Sequence, residues 1–142
     1  MLYKTTTMNT SDNKNEIFPL GEKAGADYFT GNAWVKYLIT ADDMFNTSVG
    51  NVVFEAGARN NWHTHPGGQI LIVIDGVGYY QEKGKPIQVI KKGDVVQIYP
   101  DVVHWHGASP DSTMTHIAIN THTEKGVVDW LGPVSDEEYN SK

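Results

Sequence analysis

The amino-acid sequence predicts a single all-β domain of the barrel or sandwich type. Between residues 30 and 122, short runs of β-branched and aromatic residues alternate with Gly-, Pro- and Asp-containing turn signals. No segment of this range shows the period of about 3.6 residues that marks an amphipathic helix. The chain length of 142 residues suits one domain with a sizeable core.

The predicted strands follow one another with short connections. They are residues 34–39, 49–54, 62–65, 69–74, 78–81, 87–90, 95–99, 103–108 and 113–122. Asp75-Gly76 is a dipeptide typical of tight β-hairpins. We therefore expect the strands on either side of it, 69–74 and 78–81, to pair with each other.

The two ends of the chain differ from this pattern. Residues 1–25 begin with a polar stretch of Thr, Asn, Ser, Asp and Lys, which predicts a flexible N-terminal arm. Residues 26–126 form the predicted barrel, and residues 127–142 form a C-terminal tail. In the tail, Ser135 is followed three residues later by Glu138, a capping box that predicts a short helix.

The composition excludes several classes of protein. The absence of cysteine excludes a disulfide scaffold, a thiolate metal site and a thiol nucleophile, and it fits a cytoplasmic location. A net charge of −6 disfavours binding to nucleic acid or to an anionic membrane. The longest apolar run, residues 70–74, is too short to span a bilayer, and the first residues lack the apolar core of a signal peptide.

The six histidines are the most informative residues. His63 and His65 are two positions apart, so on a strand their side chains share one face. His104 and His106 repeat this spacing, and Gln69 follows the first pair across a Pro-Gly-Gly turn. Gathered imidazoles suit a borderline divalent metal such as Mn, Fe, Ni, Cu or Zn. One such pair alone is more often a packing or surface feature, but two pairs with a nearby carboxamide favour a metal site.

Two segments resemble the two conserved motifs of the cupin family. Residues 57–76 have the pattern G-x5-H-x-H-x3-Q-x6-G of the first motif, with Gln69 where Glu is usual. Residues 93–108 resemble the second motif. They depart from it in a proline displaced by one position, in Asp101 where Gly is common, and in Ala108 where Asn is common. The resemblance implies a cupin fold, the double-stranded β-helix or jelly-roll barrel.

A wider set of matches, over residues 26–139, is similar to a subgroup of small bacterial cupins. The matching stretches are Ala58-Arg59, 62–66, 104–108, 114–116 and 128–130, with an acidic stretch that ends at Tyr139. This subgroup includes manganese-dependent hydroxynitrile lyases and members named after carboxymuconolactone decarboxylases. The resemblance implies a divalent metal ion, manganese first, with Fe, Ni or Zn as alternatives. Carried over residue by residue, the metal ligands are His63, His65, Gln69 and His104.

Two further histidines are candidates for catalysis. His116 matches a pocket histidine near the metal of those lyases, and an imidazole there can act as general acid or base. The alternative for His116 is an ordinary core histidine. His106 shares the face of His104 and is either a fourth imidazole near the metal or a group that orients a ligand. His122 is assigned no role. Arg59 is expected to pair with an acidic residue at a subunit contact, with a substrate carboxylate as the alternative partner.

Strand parity also predicts a mostly apolar pocket for a small molecule. The residues expected to line it are Val52, Phe54, Leu71, Met114 and Asn120, which share strand faces with one another or with the histidines and Gln69. The alternative for each apolar position is ordinary barrel core.

The sequence is compatible with three functions. Three imidazoles and an amide carry no negative charge, so they leave the full charge of a divalent ion to act as a Lewis acid. This favours a metal-dependent lyase that acts on a small carbonyl-derived substrate, and the resemblance suggests cyanohydrin cleavage. A quercetinase-like dioxygenase and a non-catalytic, metal-dependent binder of small molecules are the alternatives. The resemblance also implies a homodimer, in which the polar arm at residues 1–30 could reach the partner.

Overall fold

The computed structural model describes residues 16–142, and within them nearly all regular structure is β. The strands are β1 (Glu22–Lys23), β2 (Phe29–Thr30), β3 (Ala33–Ile39), β4 (Ser48–Phe54), β5 (Arg59–Asn60), β6 (His63–Thr64), β7 (Gln69–Glu82), β8 (Gln88–Lys91), β9 (Val95–Ile98), β10 (His104–Ala108), β11 (Met114–Asn120) and β12 (Asp129–Trp130). A 3₁₀ turn (Thr123–Lys125) and a short helix, α1 (Asp136–Tyr139), complete the described elements.

The strands form a curled antiparallel sheet with two halves that share β7. In the first half, β11 lies between β4 and the start of β7, β3 lies outside β4, and β9 pairs with β7. In the second half, the end of β7 pairs with β8 and β10, and β10 also pairs with β5 and β6. This arrangement confirms the predicted all-β class.

The predicted hairpin at Asp75-Gly76 is wrong, because β7 runs through this dipeptide as one strand of 14 residues. Gly76 has a φ of 78°, and the pairing with β11 shifts register between Thr115 and His116. A Cβ at Gly76 would lie 1.9 Å from the carbonyl oxygen of Thr113, so only glycine fits. Ile74 is skipped in this register, so β7 bulges just before the dipeptide, where it passes from one half of the sheet to the other.

Apolar side chains fill the space between the two halves of the sheet. This core includes Phe54, Leu71, Val73, Tyr80 and Met114, all nearly or completely buried. A second, smaller cluster of Trp62, Trp105, Val134 and Tyr139 lies beneath the C-terminal helix.

The capping box at the start of α1 is confirmed. The backbone N–H of Glu138 donates to Ser135 Oγ at 3.0 Å, and the backbone N–H of Ser135 donates to Glu138 Oε1 at 2.9 Å. At the other end, β1 falls within the predicted N-terminal arm and pairs with β3. Residues 1–15 of that arm lie outside the described residues. Neither described helix is long and apolar enough to cross a membrane.

Arg59, the one arginine of the sequence, attaches the C-terminal helix to the barrel. Its Nη2 donates to the carbonyl oxygen of Val134 at 2.9 Å and to Asp136 Oδ1 at 2.7 Å. The guanidinium also lies 4.5 Å from the ring centroid of Tyr139. In this structure Arg59 thus pairs with an acidic residue of its own chain, where the sequence led us to expect a subunit contact.

Candidate metal centre and adjoining cavity

Strands β6 and β10, with the residue that follows β6, bring three of the predicted ligands together inside the barrel. Their register places His63 opposite His104, and the two ring centroids are 4.2 Å apart. The ring of His65 lies 4.9 Å from that of His63 and 5.5 Å from that of His104. All three side chains are buried.

A backbone carbonyl holds one ring nitrogen of each of these three histidines. His63 Nδ1 lies 2.7 Å from the Asn61 oxygen, His65 Nδ1 lies 2.6 Å from the Val127 oxygen, and His104 Nδ1 lies 2.9 Å from the Val102 oxygen. A carbonyl oxygen can only accept, so each Nδ1 must carry the hydrogen. Each Nε2 therefore keeps its lone pair, as a metal ligand requires.

Burial keeps these imidazoles uncharged at neutral pH. It lowers the pKa of His104 to about 4, and it lowers the pKa of His65. The pKa of His63 falls well below 6.5, first because of burial and then because of repulsion from His104 and His65 in their charged forms. Since a metal ion binds only the neutral form, the three histidines are ready to bind without first losing a proton.

Gln69, the first residue of β7, adds an amide beside the histidines. Its Nε2 donates to Asn120 Oδ1 at 3.0 Å. Its Oε1 is buried and has no hydrogen-bond partner in the described structure, and the same is true of Nε2 of His65 and of His104. Buried acceptors without partners are costly. Imidazole nitrogens and a neutral oxygen suit a borderline divalent cation, so the residues present fit the metal that the resemblance implies.

His106 lies close to this group but has partners of its own. Donor atoms of His63, His104 and His106 all lie within 4.8 Å of one another, so these three buried histidines could hold a metal ion. However, His106 Nδ1 lies 3.0 Å from His116 Nε2 and 3.3 Å from Asn60 Nδ2. His106 is therefore already engaged by neighbouring side chains.

Asn60 and His116 both contact the ring nitrogens of His106. Asn60 Oδ1 accepts from the backbone N–H of His106 at 3.0 Å, so its amide nitrogen, a donor, lies beside His106 Nδ1. The same Asn60 nitrogen lies 3.4 Å from His106 Nε2, so the hydrogen between His106 Nδ1 and His116 Nε2 can belong to either ring. The Nδ1 atom of His116 is buried. Burial lowers the pKa of His116 to about 4.

A cavity of about 150 Å³ adjoins the imidazoles. Its wall includes His63, His65, Gln69, His106 and His116, together with Val52 and Asn120 from the predicted pocket. The other predicted pocket residues, Phe54, Leu71 and Met114, are completely buried in the core and do not form part of this wall.

Sequence reasoning missed several residues of the wall, among them Asn60 and Trp130. The Trp130 ring lies 4.9 Å from the ring of His63 on one side and stacks at 4.6 Å on Tyr28 on the other. Both residues belong to two-residue strands, which are too short to show an alternating pattern. The presence of Trp130 in the matching stretch 128–130 was the only signal in the sequence.

Comparison with known proteins gives one family and several related structures. A family described as "Cupin domain" matches residues 50–120. An (R)-mandelonitrile lyase of Granulicella tundricola is 45% identical over 117 residues, which cover 82% of this chain and 89% of that protein.

Among solved structures, a cupin-like protein of Thermotoga maritima superposes with a TM-score of 0.87 at 57% identity. The match covers 89% of this chain and 96% of that one. A DMSP lyase of Ruegeria pomeroyi has a TM-score of 0.63 at 19% identity, with 93% of this chain and 73% of that chain covered. At that identity the match shows a common fold.

Proposed function

This chain belongs to the cupin family, and from that premise we propose that it is a metal-dependent lyase acting on a small carbonyl-derived substrate such as a cyanohydrin. The observation that carries the proposal is the set of buried, unpartnered acceptor atoms on His65, Gln69 and His104 beside a small cavity. The 45% identity to a protein named (R)-mandelonitrile lyase supports the choice of substrate class.

We assign the metal to Nε2 of His63, His65 and His104 and to Oε1 of Gln69. In each of the three histidines, Nδ1 donates its hydrogen to a backbone carbonyl oxygen, so the free lone pair is on Nε2. His106 is a weaker candidate, because His116 and Asn60 already contact its ring nitrogens. Manganese is the proposed ion, and iron, nickel and zinc are the alternatives for the same donor set.

A divalent ion in this neutral donor set supplies positive charge that stabilises an alkoxide or cyanide. The cavity of about 150 Å³ matches the size of engineered protein cavities that bind benzene. It therefore has room for one aromatic ring or a comparable aliphatic group. The ring of Trp130 forms part of its wall and can pack against that group.

We assign the proton transfer to the imidazole of His116. It accepts the hydroxyl proton of the cyanohydrin while the bond between carbon and cyanide breaks and the carbonyl forms. The proton then passes to cyanide, so the products are an aldehyde or ketone and hydrogen cyanide. The bond of 3.0 Å to His106 holds the His116 ring in position, which gives His106 a supporting role in catalysis.

The test is release of cyanide from mandelonitrile by protein loaded with manganese. We expect turnover above background, and we expect His116→Asn to lower kcat by about 10²- to 10⁴-fold with metal content unchanged. A protein with confirmed metal that releases no cyanide from aromatic or aliphatic cyanohydrins would remove the proposal.

The same protein separates the two alternatives. Oxygen uptake by iron-loaded protein with phenolic or diketone substrates would favour a quercetinase-like dioxygenase. Ligands that raise the melting temperature but never turn over would favour a binding protein. The small-molecule partner, the homodimer and the cytoplasmic location stay predictions from the sequence.

A further inference from the structure

A row of three polar side chains crosses three neighbouring strands next to the candidate metal centre. Asn120 in β11 lies opposite Ser48 in β4 and opposite Gln69 in β7. Gln69 Nε2 donates to Asn120 Oδ1 at 3.0 Å, and Asn120 Nδ2 donates to Ser48 Oγ at 3.2 Å. The register of the sheet thus places a continuous chain of hydrogen bonds behind one proposed metal ligand.

We infer that Asn120 is a positioning residue that orients the Gln69 amide so that its oxygen faces the metal. This inference rests on the proposed metal centre. The two ends of a carboxamide differ, since the oxygen has lone pairs and the NH2 group has only donors. Only the oxygen can bind a cation. Because the NH2 group is held by Asn120, Oε1 points the other way, where it is buried and unpartnered.

The amide cannot be oriented well by the histidines alone. The neighbouring Nε2 atoms of His65 and His104 also lack partners, so in the metal-free protein they would attract the NH2 group of Gln69 and turn the oxygen away. Asn120 opposes this by offering an acceptor on the far side. Ser48 Oγ accepts from Asn120 Nδ2, which leaves Asn120 Oδ1 free to accept from Gln69.

The first experiment compares two variants of Asn120 by manganese titration calorimetry. Asn120→Leu keeps the number and branching of the side-chain heavy atoms but cannot accept a hydrogen bond, so we expect manganese affinity to fall by about 10- to 100-fold. Asn120→Asp can still accept from Gln69 Nε2, and we expect it to bind manganese at least as tightly as the wild type. The electron paramagnetic resonance spectrum of bound Mn(II) should change in Asn120→Leu and stay close to wild type in Asn120→Asp.

A double-mutant cycle with Gln69→Glu separates orientation from simple charge. A carboxylate at position 69 can accept from Asn120 Nδ2 once the Asn120 amide turns over and Oδ1 accepts from Ser48 Oγ instead. Asp at position 120 cannot donate in this way, so Asn120→Asp in that background places two carboxylates against each other. We expect the effect of Asn120→Asp on manganese affinity to be at least about tenfold less favourable there than in the native background. If Asp at position 120 acted only by adding negative charge, it would help equally in both backgrounds.

Asn32→Leu is the matched control, because it removes a hydrogen bond of 3.0 Å from a side-chain amide to Glu55, away from the cavity. We expect it to leave manganese affinity unchanged, and the melting temperature of each metal-free variant checks that it is folded. A folded Asn120→Leu with wild-type affinity would overturn this inference and leave the metal centre standing. Equal loss in Asn120→Leu and Asn120→Asp would overturn it too. A wild-type protein that binds no divalent metal would overturn both the role of Asn120 and the proposed metal centre.

Discussion

The metal-free protein should lose stability steeply as the pH falls from neutral towards 4. Burial lowers the pKa of His104 and of His116 to about 4, against 6.5 for an ordinary histidine. Below pH 6.5 the unfolded chain binds protons that the folded chain does not, so the free energy of unfolding decreases as the pH falls. The decrease levels off near pH 4, where the folded protein also becomes protonated.

The size of the effect follows from these pKa values. One unit of difference in pKa corresponds to ~1.4 kcal/mol. Between about pH 7.5 and 5, each of these two histidines therefore contributes a loss of ~2 kcal/mol, or ~4 kcal/mol together. The lowered pKa values of His63, His65 and His106 act in the same direction. A loss of this size is a large part of the ~5–15 kcal/mol that stabilises a typical domain.

Urea denaturation with a chelator present, at the two pH values, measures this loss directly. His116→Asn should reduce the difference between the two pH values by ~2 kcal/mol. His122→Asn is the control: its side chain is 61% exposed, and we expect the difference to stay within ~0.5 kcal/mol of wild type. A wild-type difference below ~1 kcal/mol would refute the conclusion that these histidines are buried in the neutral form.

Four further outcomes are expected. Gln69→Glu should tighten manganese binding but lower kcat for cyanohydrin cleavage about tenfold, since the added charge weakens stabilisation of the leaving cyanide; an unchanged kcat at full metal loading would contradict this. Trp130→Leu should raise KM for aromatic cyanohydrins about 3- to 10-fold with little change for aliphatic ones, and equal effects on both would argue against ring packing. Arg59→Ala should lower the free energy of unfolding by ~2–4 kcal/mol because it removes a buried hydrogen bond and a ring contact. Asp136→Asn should lower it by less than ~1 kcal/mol because the Asp136 side chain is 89% exposed. Equal losses in the two variants would contradict the conclusion that Arg59 acts mainly through its buried contacts. Leu71→Ala should cost ~2–5 kcal/mol by chemical denaturation, and a cost under ~1 kcal/mol would show that this core position is loosely packed.

Much of the fold could be predicted from the sequence, because the patterns that indicate strands, turns and the two cupin motifs each lie within a short stretch of residues. The cupin barrel suggested by the two motifs is confirmed by the family match and by the superposition on a cupin-like protein. The predicted strands failed at Asp75-Gly76, where a dipeptide typical of hairpin turns lies within a continuous strand, next to a bulge at Ile74. Pairing partners on both sides of β7 decide between these outcomes, and those partners are distant in the sequence.

From the sequence, the site could be predicted only to the extent that strand parity shows which side chains share a face. Parity indicates which face a side chain occupies, so it brought His63 and His65 together. It does not give depth, which is why Val52 lies at the cavity wall while Phe54, on the same face of the same strand, is buried behind it. The direction of hydrogen bonds, such as the one from Gln69 to Asn120, depends on the cross-strand register and is absent from any local pattern.

The most direct test of the proposed metal centre is a crystal structure of the purified protein with anomalous data collected at the manganese edge. We predict one strong anomalous peak inside the barrel, in contact with Nε2 of His63, His65 and His104 and with Oε1 of Gln69. No peak in this position after manganese loading would contradict the proposed centre. A peak held by His106 in place of His65 and Gln69 would contradict the proposed ligand set.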